Sequence, residues 1–342
     1  MKIKNLFIIG NGFDLAHGLK TDYKSFVTNH LVDEGIKKGF IIERRLLLKN
    51  DKEYYLIQKS EITQHRDLIT KNFFLSCLLK EISLNNWVDI ETLYFELLKE
   101  ESYEVNKLNS DFSVIKNELE NYLVNISGKK TGNYLSSFFD KISKKKEDEF
   151  MVLNFNYTNT FDLLYKGVFK KCPVINKHGQ LKSKDNPIVF GYAPTDRITS
   201  TLVEKGDNEF LKNIKKYYYK RTGFLILLND FLKKGSMDIH VYILGHSCGL
   251  SDGNILKKIF ENESVKEISI MYYNDYENYS HSLINIERIV ENHKQYEIIN
   301  NYQKSIRMPQ FDDKEELTAK SETMIDDVTN LKKIPSNVVD IR

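Results

Sequence analysis

Four short stretches carry residue types suited to nucleotide chemistry, and each follows an apolar run. The first is Gly10-Asn11-Gly12, continued by Phe13-Asp14. Glycines at a strand end let backbone N–H groups approach an anion that any side chain would hold off. A helix opening there adds the positive end of its dipole. The pattern is not the full G-x-G-x-x-G, because Leu15 stands where the third glycine would be. Asp14 also argues against a simple phosphate cradle, since a carboxylate repels phosphate; it suits a ribose hydroxyl or a helix cap. A tight turn without a ligand is the plain alternative.

The second stretch, Asn154-Phe155-Asn156-Tyr157-Thr158-Asn159-Thr160, ends a strand in amides and hydroxyls, which serve either turns and caps or a polar substrate. The third, Lys177-His178-Gly179, offers an imidazole, although a lone histidine is as readily structural. The fourth is Gly245-His246-Ser247-Cys248-Gly249, ahead of Ser251-Asp252-Gly253-Asn254, which looks like a helix N-cap. It is a literal G-x-S-x-G, so a serine hydrolase built on Ser247 has to be weighed, with Asp275 and either His281 or His293 as partners in chain order. Against it, Leu250-Ser251-Asp252 delays the helix that a nucleophile elbow launches at its serine, and both histidines fall in a helical stretch.

These stretches need a frame that gathers strand ends. Leu6–Ile9 reads as a buried parallel strand, apolar on both faces. Strand character returns at 150–155, 173–176, 188–190, 239–244 and 268–271, with helical stretches between, notably 203–234 and 276–297. This predicts an α/β fold: a Rossmann-like, doubly wound, mostly parallel sheet whose sites lie beyond the carboxyl ends of its strands. Residues 28–128 show no convincing strand but apolar positions at helical spacing, as in Phe112, Ile115, Leu119 and Tyr122, and read as an inserted helical subdomain. Thr21 is the expected cap of the helix leading into it. Asp89 and Glu91, beside the only tryptophan, Trp87, read as caps or dipole partners, with a place in the site as the alternative. The expected division is a core of 1–27 and 129–300, the insertion 28–128, and a peripheral or flexible tail 301–342.

Composition narrows the class. The chain has 342 residues, 41% hydrophobic and 12% aromatic, enough for a substantial core. Fifty basic against 48 acidic residues leave a net +2, which gives no electrostatic case for nucleic acid. The lysine runs 129–130 and 144–146 read as solvated loop charge. Cys77, Cys172 and Cys248 are odd in number and far apart, which suggests reduced thiols and excludes a zinc ribbon. No apolar run is long enough for a membrane helix and no secretion signal is visible, so a cytoplasmic protein is expected. The scattered acids suggest no metal site.

Taken together, GNGFDLAHGLKTDYKSF, the Asn-Trp-x-Asp-x-Glu piece, FNYTNTFD, His178-Gly179 and LGHSCGLSD resemble the AbiH family of bacterial phage abortive-infection proteins, over residues 3 to about 290. The resemblance implies antiphage defence in which an infected cell halts or dies before phage release, answering a phage-derived trigger. The same order of motifs is more distantly similar to sirtuin-like domains, which bind NAD and cleave its nicotinamide–ribose bond. By that similarity Gly10 and Gly12 would approach the pyrophosphate, with Asn11, Phe13, Asp14 and Tyr157 around the nucleotide. Asn156 would position the nicotinamide ribose and the attacking water, and His178 would match the catalytic histidine, activating a ribose hydroxyl or the water. Gly245 and Ser247 would contact the adenosine side, and His246 and Asp252 would also belong to the nucleotide site. Asp14 replaces a small hydroxyl residue of the sirtuin-like pattern, and the missing cysteine quartet removes the zinc module of deacetylases. The implied chemistry is therefore NAD hydrolysis. A nucleotide-binding sensor that cleaves nothing is the alternative, and homo-oligomer formation stays open.

Overall fold

The computed structural model describes residues 2–313 apart from 44–53, 85–88, 101–102, 128–131, 133, 145–146, 195, 234, 236, 292 and 312. Trp87, Lys129, Lys130, Lys145, Lys146 and the acid-rich stretch from 314 on lie outside the described residues. The strands in chain order are β1 (Ile3–Ile9), β2 (Ile41–Glu43), β3 (Tyr55–Ile57), β4 (Leu68–Thr70), β5 (Glu149–Asn154), β6 (Val174–Asn176), β7 (Asp238–Leu244), β8 (Val265–Tyr272) and β9 (Ile306–Arg307).

Six of them form one sheet in the order β6-β5-β1-β7-β8-β9, every pair parallel. Counted along the chain, this is the doubly wound order 3-2-1-4-5-6, with its switch point between β1 and β7. β1 is buried along its whole length, and its residues divide between two apolar layers: Leu6 and Ile8 enter one, Phe7 and Ile9 the other. That is why the run shows no polar alternation. The first layer is closed by Phe224–Leu232, Gly253–Phe260 and Tyr276–Ile289, the second by Ser136–Ser143 and Thr160–Leu164.

A third core is built mainly from the 28–128 stretch and is joined by Phe190, Tyr192, Leu202 and Ile214. The helices Val32–Lys38, Phe73–Leu84, Ile90–Glu100 and Val105–Ser127 pack with a three-stranded antiparallel sheet in the order β2-β4-β3. The expectation of a strandless insertion is therefore corrected. Its strands are three residues each, too short to express a period against the helical background. The strand expected at 188–190 is also absent. Phe190 and Tyr192 are buried in the insertion's core, with Phe190 stacked on Phe112 at 4.9 Å. The backbone there is satisfied piecemeal: Val189 N–H donates to His178 O, and Tyr157 OH donates to Val189 O. Apolarity reported burial there, not a ladder.

Helix ends differ in detail. Asp22, not Thr21, caps the helix Tyr23–Phe26 by accepting from Ser25 N–H. The stretch 203–234 is broken into Asp196–Glu204, a 3₁₀ turn at Asn208–Leu211, Lys215–Tyr218 and Phe224–Leu232. The helix beginning at Tyr276 ends at Ile289, and a 3₁₀ segment follows at His293–Ile298. Within the range 301–342, β9 joins the main sheet beside β8. No helix among the described residues is long and apolar enough to cross a membrane.

Candidate functional site

Strand register creates the site. Ile9 lies opposite Asn154 on one side and Leu244 on the other, and Asn154 lies opposite Asn176. The next residues of the four strands therefore fall in one row beyond the sheet: Gly10, Phe155, Lys177 and Gly245. Two bonds extend the ladder into that row, Phe155 N–H to Ile9 O and Lys177 N–H to Asn154 O, both 2.9 Å. Asn154 ties the row together, because its amide donates to Thr158 O and Asn176 Oδ1 while its Oδ1 accepts from Asn156 N–H.

A cleft of about 1760 Å³ opens there. It is lined by Gly10, Asn11, Gly12, Asp14, Asn156, Tyr157, His178, Gly245, His246, Ser247 and Asp252. The four stretches singled out in the sequence thus share one cleft. Phe13 is the exception: it is fully buried in the second apolar layer, against His17 and Tyr165.

The centre of the cleft is Asp252. Its Oδ1 accepts from Lys177 Nζ and from His178 Nε2 at 3.0 Å, and its Oδ2 lies 3.6 Å from His246 Nε2. All four side chains are buried. Asp252 stands at the start of Gly253–Phe260 but makes no side-chain cap there, so the expected N-cap is spent on the site instead. Burial pushes its carboxyl pKa up, but Lys177 and His178 outweigh that and hold it well below the usual value. Lys177 Nζ also lies 4.7 Å from the Phe155 ring centre and 4.8 Å from that of Tyr219, a desolvated cation between two aromatic faces.

Hydrogen bonds assign the tautomers of both imidazoles. His246 Nδ1 accepts from Cys248 N–H at 2.9 Å, so its proton sits on Nε2, toward Asp252. His178 likewise presents Nε2–H to Asp252, which leaves its Nδ1 lone pair free to act as a base. Burial lowers the His178 pKa to about 4 despite the pull of Asp252, so the ring is neutral at pH 7. Two histidines and a carboxylate look like a metal ligand set, but both rings turn N–H, not lone pairs, toward Asp252, and Lys177 already supplies the cation.

A second buried pair joins Glu91 of the insertion to Lys215. Glu91 Oε2 accepts from Lys215 Nζ at 2.6 Å and Oε1 from Gly191 N–H at 2.9 Å, and Glu91 and Lys215 line the cleft. Burial works against the Lys215 charge, but Glu91 more than offsets it and raises its pKa. Asp89 has the plain role, accepting from Glu91 and Thr92 N–H at the helix start. Lys215 carried no sequence signal, since nothing local distinguishes it from a surface lysine.

The glycines work differently from a phosphate loop. Gly12 N–H donates to Gly245 O at 2.8 Å and Phe13 N–H to Gly10 O at 2.9 Å, so these donors are already used. A Cβ on Gly12 would stand 2.9 Å from Gly245 Cα, and one on Gly10 2.5 Å from His246 Cα. The crowding is between the β1 and β7 loops themselves. Asn156 Nδ2 donates to Gly10 O at 2.9 Å, which completes that contact.

The hydrolase geometry is missing around Ser247. Its side chain is exposed, and no hydrogen bond to its hydroxyl is found among the described residues. His246 beside it is committed to Cys248 and Asp252. Asp275 caps Tyr276–Ile289, and His281 is exposed on that helix.

The fold and cleft define a doubly wound α/β protein with a buried histidine–carboxylate centre at the carboxyl ends of its strands. Residues 6–275 match the bacteriophage abortive infection AbiH family, and the chain belongs to it. No curated protein matches the sequence.

Proposed function

We propose that the chain is an abortive-infection effector that hydrolyses NAD at the nicotinamide–ribose bond, with His178 as the base. The observation that carries this reading is the buried His178–Asp252 pair, which leaves Nδ1 of a neutral imidazole free in a cleft at the switch side of a doubly wound sheet. In the reaction, the bond from ribose C1′ to the nicotinamide nitrogen breaks and takes its electron pair with nicotinamide. Water forms the new C1′–O bond and gives its proton to His178. Asp252 stabilises the imidazolium that results, and Lys177 keeps Asp252 ionised. Asn156, its amide held by Gly10 O, keeps Oδ1 for orienting the ribose or the water. A base so placed contributes roughly 10²- to 10⁴-fold.

The rival reading is a nucleotide sensor without turnover, favoured by the internal use of the Gly12 and Phe13 N–H groups. The test is NAD, nicotinamide and ADP-ribose by mass spectrometry, in cells with and without phage and with the purified chain. Expected is a fall in NAD with both products rising, lost in His178→Ala and Asn156→Ala that remain folded by circular dichroism. An unchanged NAD pool during a protective response overturns hydrolysis and favours the sensor. Cleavage undiminished in His178→Ala overturns the assignment of the base.

A further inference from the structure

The Asp14 carboxylate is only half used. It is 1% exposed, its Oδ2 accepts from Thr158 Oγ1 at 2.5 Å, and its Oδ1 is buried with no hydrogen-bond partner. Thr160 Oγ1 donates to Thr158 rather than to Asp14, and Asn156 donates to Gly10 O. A buried acceptor left without a donor is costly, and a carboxylate more so than a neutral group. Such an oxygen calls for a partner, and in a cleft a bound molecule can supply it. Asp14 also lines the cleft, beside Asn156.

We infer that Asp14 Oδ1 is a recognition group for the ligand, accepting one hydrogen bond from a ribose hydroxyl. This rests on the reading of the cleft as a nucleotide site. The chemistry excludes phosphate at that point, because an ionised oxygen next to a phosphate oxygen repels it. It selects a neutral donor, and the second oxygen is taken by Thr158, so one hydroxyl is read rather than a diol. The β1 turn, where a dinucleotide fold usually places its pyrophosphate, therefore receives the sugar in this chain, and the phosphates lie elsewhere in the cleft.

Binding also involves a proton. Burial raises the Asp14 pKa to about 6, against the opposite pull of the uncharged Thr158, Thr160 and Asn156 beside it. A hydroxyl donating to Oδ1 favours the ionised form. Affinity then rises with pH through about 6, and binding releases a proton near that pH.

The experiment is calorimetry on the full chain with ADP-ribose, which has no nicotinamide bond to cleave, and with ADP-ribose analogues lacking the hydroxyls of one ribose or the other. Expected is a tenfold or greater loss of affinity in Asp14→Asn, a matching loss for one deoxy analogue, no further loss for that analogue on Asp14→Asn, and a proton release seen only in the parent. Thermal melting should show that unliganded Asp14→Asn is as stable as the parent or more so at pH 7.5. Equal binding by the parent and a folded Asp14→Asn overturns the inference alone. A strongly destabilised Asp14→Asn overturns it as well, since the carboxylate would then be structural. Failure of the parent to bind any of the probes overturns the nucleotide reading and this inference together.

Discussion

Replacing Asp252 with asparagine keeps the shape of the site and removes the carboxylate paired with the Lys177 ammonium. The lysine and aspartate side chains are 3% and 9% exposed, so water cannot take the carboxylate's place. The Phe155 and Tyr219 rings at 4.7 and 4.8 Å each contribute about 2 kcal/mol of cation–π attraction. Together they offset part of the several kcal/mol needed to desolvate an ammonium, and breaking a buried pair from one side costs roughly 3–5 kcal/mol. Asp252→Asn should therefore lose about that much stability in urea unfolding followed by circular dichroism. Lys177→Met places an apolar chain in the same slot, so the double variant should be more stable than the two separate losses predict, with a coupling of about 2 kcal/mol or more. The sign with pH follows. The folded Asp252 pKa lies below its unfolded value, so its contribution is present above about 3.8 and is lost as pH falls through the folded value. That acid-side loss should shrink in Asp252→Asn. A variant within about 0.5 kcal/mol of the parent, or strictly additive losses, would refute the view that this pair is desolvated and interdependent.

Alanine at three glycines should rank by space and backbone. Gly245→Ala is worst, with φ +66° and a Cβ 2.2 Å from Phe13 N. Gly12→Ala follows, at 2.9 Å from Gly245, by about 1–3 kcal/mol. Gly249→Ala meets only Ser247 Oγ at 3.7 Å and should melt like the parent; any other order would show that the β1–β7 loop contact does not limit stability. Asp14 binds its proton more tightly folded than unfolded, so between pH 3.8 and about 6 its ionisation should cost the unliganded protein about 3 kcal/mol as pH rises. Asp14→Asn should remove that slope from pH-dependent unfolding, and an unaltered slope would mean that the carboxyl is hydrated. Ser247→Ala should leave any NAD cleavage intact, and a fluorophosphonate should not label the parent; labelling at Ser247 would restore the hydrolase.

Much of the cleft was legible because its residues follow strands, and strand ends can be read from short apolar runs such as Leu6–Ile9. The parallel, doubly wound character of the sheet followed from the same runs, since helices between parallel strands leave few topologies, but the strand order did not. What stayed hidden was pairing across the chain. His178 and Asp252 were both picked out, but as separate groups with separate roles, and only the fold brings them within 3.0 Å. Lys215 was invisible because a buried cation is defined by its partner, Glu91, 124 positions away. Ile188–Phe190 misled for a related reason: an apolar triplet says that it is covered but not by what, and the cover is Phe112 of the insertion rather than a neighbouring strand. The three strands of the insertion are single pairings of three residues, below the length at which alternation can be seen.

The two borders of the main sheet have a bearing on how this protein keeps its own company. Interior strands run six to eight residues, whereas the borders are β6, with three residues, and β9, with two. A border strand offers unpaired N–H and C=O groups to any chain that can lie beside it, and the length on offer sets how firmly a stranger can attach. Here that length is about one turn of ladder on each side. Copies meeting edge to edge would gain too few bonds to stay together. At either border the main sheet therefore offers a second copy little backbone to pair with.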